Sequence, residues 1–66
     1  MTRVFVNGEA RHTAAATVAD LIVELDLPAA TILIELNGNA LFRRDWSSAT
    51  LAPDARIEIL RVTAGG

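Results

Sequence analysis

The sequence predicts a small α+β domain in which one main helix packs on one face of a mixed sheet of four to five strands. Short β-favouring segments lie on both sides of a single helical stripe of apolar residues, which indicates this class. The length of 66 residues allows one domain and no more. Hydrophobic residues make up 52% of the chain, so a domain of this size can be stabilised mainly by apolar burial.

A β-hairpin is predicted at the start of the chain. Residues 2–6 form a short β-favouring run, and residues 9–13 alternate between two faces. Asn7 and Gly8 stand between these runs. The Asn-Gly pair is typical of a type I′ turn, because both residues tolerate a positive φ. The two runs are therefore expected to pair as antiparallel strands.

The next segment predicts an amphipathic helix over residues 18–27. Thr17 is suited to cap its N-terminus, and Asp20 places a carboxylate beside the free amides of the first turn. Leu27-Pro28 is expected to end the helix, because proline disfavours helical geometry in the residue before it. One apolar stripe recurs at helical spacing and consists of Val18, Leu21, Ile22 and Leu25.

Three further strands are predicted after the helix, over residues 31–36, 40–42 and 56–62. The sequence Asn37-Gly38-Asn39 is expected to form the turn between the first two, and Pro53-Asp54 marks a turn before the last. The predicted order is therefore a hairpin, a helix, and then strands that complete the sheet.

Alternation assigns the two faces of the last predicted strand. Ile57 and Ile59 are expected to point into the core, whereas Leu60 and Val62 lie on the opposite face and lead directly into the C-terminal residues. If Leu60 and Val62 are exposed, they mark a surface where a partner docks. The alternative is that both side chains pack beneath a loop.

The aromatic residues and the single histidine have simpler interpretations. The polar segment 43–48 is expected to hold a turn or one helical turn, and it contains Trp46, the only tryptophan. For Trp46 and Phe42, packing in the core or at its rim is favoured over a partner patch, because a small domain seldom leaves its one indole outside the core. His12 is interpreted as a strand residue and not as a proton shuttle.

Composition excludes several classes of function. The chain has no cysteine and one histidine, which excludes a disulfide scaffold, a thiol nucleophile, a zinc finger, an iron–sulfur cluster and a His-rich metal site. Six dispersed Lys and Arg residues stand against eight acids, for a net charge of −2, so no nucleic-acid partner is expected. No signal peptide or membrane-spanning segment is recognised, and the expected location is the cytoplasm.

The C-terminal residues carry the strongest functional signal. Residues 63–66 are expected to form a flexible tail after a domain of residues 1–62. Gly65 and Gly66 lack Cβ atoms and can therefore thread a narrow channel. Four residues reach about 13 Å, far enough to carry the terminal carboxylate into a partner's pocket. Such a tail suits a carboxylate that another enzyme activates.

A set of short motifs in a fixed order resembles one known family. The motifs are T-V-x-x-L-I-x-x-L at 17–25, L-N-G at 36–38, R-x-x-W at 43–46, R-I-E-I-L at 56–60 and the final A-G-G. Together they cover essentially the whole chain and resemble ThiS, the family of sulfur carrier proteins of thiamin thiazole biosynthesis. The resemblance implies a ubiquitin-like β-grasp fold.

The resemblance also implies a mechanism, in which the protein is a carried cosubstrate and not an enzyme. A ThiF-like adenylyltransferase would use ATP to adenylate the carboxylate of Gly66, and a sulfur donor such as a cysteine desulfurase would supply the sulfur of a thiocarboxylate. A ThiG-like thiazole synthase would then accept that sulfur. The carrier itself would bind no cofactor or metal. The residues expected to contact partners are Leu60, Val62, Ala64 and Gly65.

Three alternatives remain open at this point. A small subunit of molybdopterin synthase, of the MoaD type, has the same fold and a similar Gly-Gly end, although such proteins usually have more loop than 66 residues provide. A ubiquitin-like modifier would be joined to lysine side chains through Gly66. A non-covalent interaction module would use its folded surface alone, with an incidental tail.

Overall fold

One α-helix packs against a five-stranded mixed sheet in the computed structural model, which describes residues 1–62. Within these residues no helix has the length and apolar character needed to cross a membrane. Two single-turn 3-10 helices, Ala29–Thr31 and Arg43–Asp45, join the longer elements. The longer elements, in chain order, are β1 (Thr2–Val6), β2 (Glu9–Thr13), α1 (Val18–Glu24), β3 (Ile32–Leu36), β4 (Asn39–Leu41) and β5 (Arg56–Arg61).

The strands lie across the sheet in the order β2-β1-β5-β3-β4, so the last strand of the chain is the central one. β1 pairs antiparallel with β2 and parallel with β5. β3 pairs antiparallel with both β4 and β5. This arrangement confirms the predicted α+β class with a mixed sheet. It also means that the chain approaches residue 62 from the middle of the sheet.

Both Asn-Gly sequences form two-residue turns between antiparallel strands. Asn7 and Gly8 have φ angles of 50° and 83°, and Asn37 and Gly38 have φ angles of 52° and 86°. All four values lie in the region that type I′ turns require, which confirms the predicted turns. Because the second turn uses only two residues, Asn39 already pairs with Leu36. β4 therefore covers 39–41, and the prediction of a strand over 40–42 was displaced by one residue.

The helix begins where predicted but ends earlier. The hydroxyl of Thr17 accepts a hydrogen bond from the amide of Asp20, as expected for the N-cap. The prediction that the helix continues to residue 27 was wrong, because α1 ends at Glu24. Asp26 takes a left-handed conformation with φ of 55°. The amide of Leu27 then donates to the carbonyl of Ile22, which together with Asp26 forms a Schellman-type end.

The bounds of β3 and β5 also differ slightly from prediction. Thr31 belongs to the preceding 3-10 helix and not to β3, and β5 ends at Arg61 instead of Val62. The amide of Val62 still donates to the carbonyl of Thr31 at 2.7 Å. The sheet therefore holds the backbone as far as residue 62, even though the regular strand ends one residue before it.

A single core lies between α1 and one face of the sheet. Trp46 is 5% exposed and belongs to this core, and its indole Nε1 donates to the carbonyl of Leu41 at 3.2 Å. The packing interpretation is thus confirmed for Trp46 but was wrong for Phe42, which is exposed. The buried apolar residues are Val4, Val18, Leu21, Ile22, Ile32, Ile34, Trp46, Leu51, Ala55 and Ile57.

Candidate functional site

The candidate site is built on β5, the strand that leads to the C-terminus. Ile57 is fully buried and Ile59 is half-buried against the core, whereas Leu60 and Val62 are exposed. The predicted faces of this strand are confirmed, and packing of Leu60 and Val62 beneath a loop is excluded by their exposure. Residues 63–66 lie outside the described residues, so the roles assigned to Ala64, Gly65 and Gly66 stay predictions.

The two strands next to β5 pair with different parts of it. On one side, β3 pairs along β5 from Ile57 to Arg61. On the other side, the regular pairing with β1 stops at Ile57, because β1 turns away into the first hairpin. The second half of β5 would therefore lack backbone partners on that side unless another group replaced them.

The side chain of Asn7 supplies the next pair of hydrogen bonds on that side. Its Oδ1 accepts from the backbone amide of Ile59 at 2.7 Å, and its Nδ2 donates to the carbonyl of Ile59 at 3.3 Å. The amide group of Asn7 thus acts as one more residue of β1. It fixes β5 two residues beyond the last regular pair and immediately before Leu60.

Asn37 acts in a similar way at the start of β5, on the side of β3. Its backbone amide donates to the carbonyl of Arg56 at 2.7 Å, and its Oδ1 accepts from the amide of Arg56 at 2.8 Å. Sequence reasoning assigned both asparagines to turns only. The signal that could have suggested more is the side chain itself, because asparagine alone among common I′-turn residues carries both a donor and an acceptor.

We use the term open face for the exposed apolar surface of the sheet opposite α1. A groove of about 400 Å³ runs along it, between β3 and the segment that follows β4, and Leu33 and Leu60 line it. The alternation of β3 places Leu33 on the same side as Leu60. Exposed apolar side chains grouped in this way are typical of an interaction surface. The members and their exposed fractions are Leu33 (58%), Phe42 (62%), Leu60 (53%) and Val62 (48%).

Two ion pairs connect separate elements of the fold, and each shifts the pKa of one of its members. Arg3 donates from Nε to Oδ1 of Asp54 at 2.8 Å, and this hydrogen bond raises the pKa of the Arg3 guanidinium. The hydroxyl of Thr13 donates to Oε1 of Glu24 at 2.7 Å and is the main cause that lowers the pKa of the Glu24 carboxyl. Arg11, 3.0 Å from the same carboxylate, lowers it further. These contacts tie α1 to β2 and the turn before β5 to β1.

Two further observations concern the polar side chains of residues 1–62. Among residues 1–62, no group of three or more His, Cys, Asp or Glu side chains is placed to hold a metal ion. Every buried side-chain nitrogen or oxygen in the same residues has a hydrogen-bond partner.

Comparison with known proteins gives consistent results. A family model described as the ThiS family matches residues 4–66. The crystal structure of the thiamine biosynthesis protein (ThiS) from Geobacter metallireducens is similar, with a TM-score of 0.84 and 28% sequence identity, over 98% of this chain and 100% of that chain. The NMR solution structure of a thiamine biosynthesis protein from the same species has a TM-score of 0.78 and 28% identity, over 98% of this chain and 88% of that chain. No curated protein gives a significant match.

Proposed function

The chain belongs to the ThiS family, and we propose on this premise that it is a sulfur carrier of thiamine biosynthesis and not itself an enzyme. The observation that carries the proposal is the extent of the family match, which reaches residue 66 and so includes Gly65 and Gly66. The similar structures from Geobacter metallireducens support the thiamine pathway over the molybdopterin alternative.

The first chemical step activates the carboxylate of Gly66, which is a poor electrophile on its own. A ThiF-like adenylyltransferase joins the carboxylate to the α-phosphate of ATP and releases pyrophosphate. The resulting acyl adenylate has a good leaving group. Hydrosulfide attacks the acyl carbon, and AMP leaves. Where a donor such as a cysteine desulfurase supplies the sulfur as an enzyme-bound persulfide, two thiols deliver the two electrons that release it as hydrosulfide and become a disulfide. The product is a thiocarboxylate on Gly66.

The second step transfers the sulfur to a ThiG-like thiazole synthase for the thiazole ring. In both steps the carrier contributes a terminus and a surface, whereas the partner enzymes contribute the catalytic groups. We expect no cofactor on the carrier itself, since ATP binds the adenylyltransferase. Because activation consumes ATP, we assign the carrier to the cytoplasm.

The folded part of the chain supports this role through β5. The exposed side chains of Leu60 and Val62 lie directly before the tail, so a partner that docks on them has the terminus within reach of its own active site. With Ala64 and Gly65, these residues form the proposed partner-binding set. β3 and Asn7 hold β5 from both sides, which fixes the place from which the tail starts.

The direct test is the intact mass of the protein after reaction. The chain is incubated with ATP, sulfide and the adenylyltransferase of the same cell. A mass gain equal to the exchange of one oxygen for sulfur, located on Gly66 by fragmentation, supports the proposal. The control is a variant that lacks Gly66, which should show no gain. An unchanged mass for the wild-type chain, with adenylyltransferase that is active on another carrier, would contradict the proposal.

A genetic test separates the pathways. Deletion of the gene should create a requirement for the thiazole moiety that a plasmid copy relieves. A copy without Gly66 should fail to relieve it. Loss of molybdoenzyme activity without a thiazole requirement would favour a MoaD-type role instead, and ladders of higher-mass conjugates would favour a modifier.

A further inference from the structure

Two glutamates lie directly opposite each other on the open face. Glu35 of β3 and Glu58 of β5 are cross-strand partners, and the neighbouring pair along the same strands is Leu33 and Leu60. Side chains of such partners lie on the same face, with Cβ atoms about 5 Å apart. An acidic pair therefore adjoins the apolar pair at the centre of the open face.

This placement is unfavourable for the free protein, because like charges directly opposite on a sheet repel each other. Arg56 lies two residues before Glu58 on the same face of β5, but among the described residues it forms no ion pair with either carboxylate. The chain has no lysine and all six arginines lie within residues 1–62, yet no arginine nitrogen in this range is within 4.0 Å of either carboxylate. The arginines that form ion pairs bind other acids: Arg3 binds Asp54, Arg11 binds Glu24, and Arg44 binds Asp45.

The acidic pair adjoins the groove through Glu35, whereas Glu58 does not line it. Glu35 is half-buried and lines the same groove as Leu33, Leu60 and Phe42. Arg43 also lines this groove, but it does not form an ion pair with Glu35. A partner that covers Leu33 and Leu60 therefore covers Glu35 as well, and it must provide a group that suits a carboxylate removed from water.

We propose that the open face recognises a partner surface that carries a lysine or arginine beside apolar side chains, with the cation placed between Glu35 and Glu58. The apolar side chains of the partner contact Leu33 and Leu60, and its cation neutralises the two carboxylates. The repulsion that the free carrier tolerates thus becomes a means of selecting the partner, because an uncharged or acidic surface would leave two desolvated carboxylates unpaired. The inference rests on the proposed function only for the identity of the partner, the adenylyltransferase.

The test measures binding of the full chain to the adenylyltransferase by calorimetry at low and high salt. The variants are Glu35→Gln, Glu58→Gln and the double variant, and the control is Glu9→Gln, an exposed glutamate on the edge strand β2. We expect the double variant to raise Kd about tenfold at low salt. Its Kd should also depend less on salt than that of the wild type, because screening acts on the ion pairs that were removed. Glu9→Gln should bind as the wild type does.

A second measurement separates recognition from folding. The double variant should have a Tm equal to or above that of the wild type, since removing the repulsion does not weaken the fold. An unchanged Kd in the double variant, or a Tm that falls together with the binding, would overturn the inference. Neither result would affect the proposed function, which fails only if the wild-type chain is not converted to a thiocarboxylate.

Discussion

Asn7 and Asn37 each have two structural roles in this domain. Each adopts the positive φ of a tight turn and also bonds to the backbone of β5. The turns were predictable, because Asn-Gly is a local signal. The hydrogen bonds to β5 were not, since they depend on a strand that lies 52 residues further along the chain for Asn7.

Substitution of Asn7 tests this role directly. Asn7→Gly keeps the positive φ of the turn but removes both hydrogen bonds to Ile59. We expect a loss of about 1–2 kcal/mol in the free energy of unfolding. The amide of Ile59 should also exchange with solvent faster, as measured by NMR. Asn7→Asp keeps an acceptor for this amide and should protect it partly. If Ile59 stays fully protected in Asn7→Gly, the side chain does not hold β5.

Glu24 gives the fold a predictable dependence on pH. The hydrogen bond from Thr13, helped by Arg11, lowers the pKa of this carboxyl in the folded state. The ionised form is therefore favoured by folding. The ionised carboxyl contributes to the free energy of unfolding. This contribution is fully present above the unfolded pKa of roughly 4.3 and is lost as the pH falls through the lower folded pKa.

The matched variant is Glu24→Gln, studied by thermal unfolding between neutral and acidic pH. The wild type should have the higher Tm at pH 7, and the difference should shrink as the pH falls below about 4. Glu9→Gln is the control, because Glu9 is an exposed glutamate that forms none of the ion pairs among residues 1–62. A difference between wild type and Glu24→Gln that stays constant with pH would show that Glu24 acts through packing instead of charge.

At the scale of elements, the start of α1 was predicted correctly but its end was not. The apolar stripe and the Thr17 cap predicted its start and its buried face. Pro28 predicts an end at residue 27, whereas the left-handed Asp26 stops the helix first. Aspartate adopts this conformation less readily than glycine or asparagine. Nothing local in the sequence distinguishes Asp26 from an ordinary helical residue.

The open face is also a property of elements, because it forms only when β3 and β5 pair. Alternation along the last strand predicts Leu60 on its outer face, and the structure shows Leu33 exposed on β3. That the two side chains lie opposite each other follows from the register of the strands, which no local pattern reveals. The same register brings Glu35 and Glu58 together.

Substitution of Leu60 tests whether the open face docks the adenylyltransferase. Leu60→Ser removes an exposed apolar side chain, so Tm should change little. The kcat/KM for adenylation should fall about tenfold, because truncation of an apolar residue at the centre of an interface commonly costs more than 1 kcal/mol. Val23→Ser is the matched control, since Val23 is 79% exposed and lies on α1. Equal losses in both variants would contradict docking on this face.

At the scale of the whole molecule, the element order predicted the fold class and the layer arrangement, and the structure confirms both. The central position of β5 was not predicted, because it depends on the parallel pairing of the first strand, β1, with the last strand, β5. No local pattern in the sequence indicates that pairing. This topology has a functional consequence. The strand that leads to the terminus is the central one, with β1 and β3 as its neighbours, so the residues that follow it start from the middle of the sheet.

The most direct test of the central claim compares the intact masses of the wild-type chain and a variant without Gly66 after incubation with ATP, sulfide and the adenylyltransferase. Both proteins should first show nearly the same Tm, because the core is formed by residues 4–57. The account predicts that the wild type gains the mass difference between sulfur and oxygen, located on Gly66, and that the shortened chain gains nothing. Equal modification of both chains, or of neither, would contradict it.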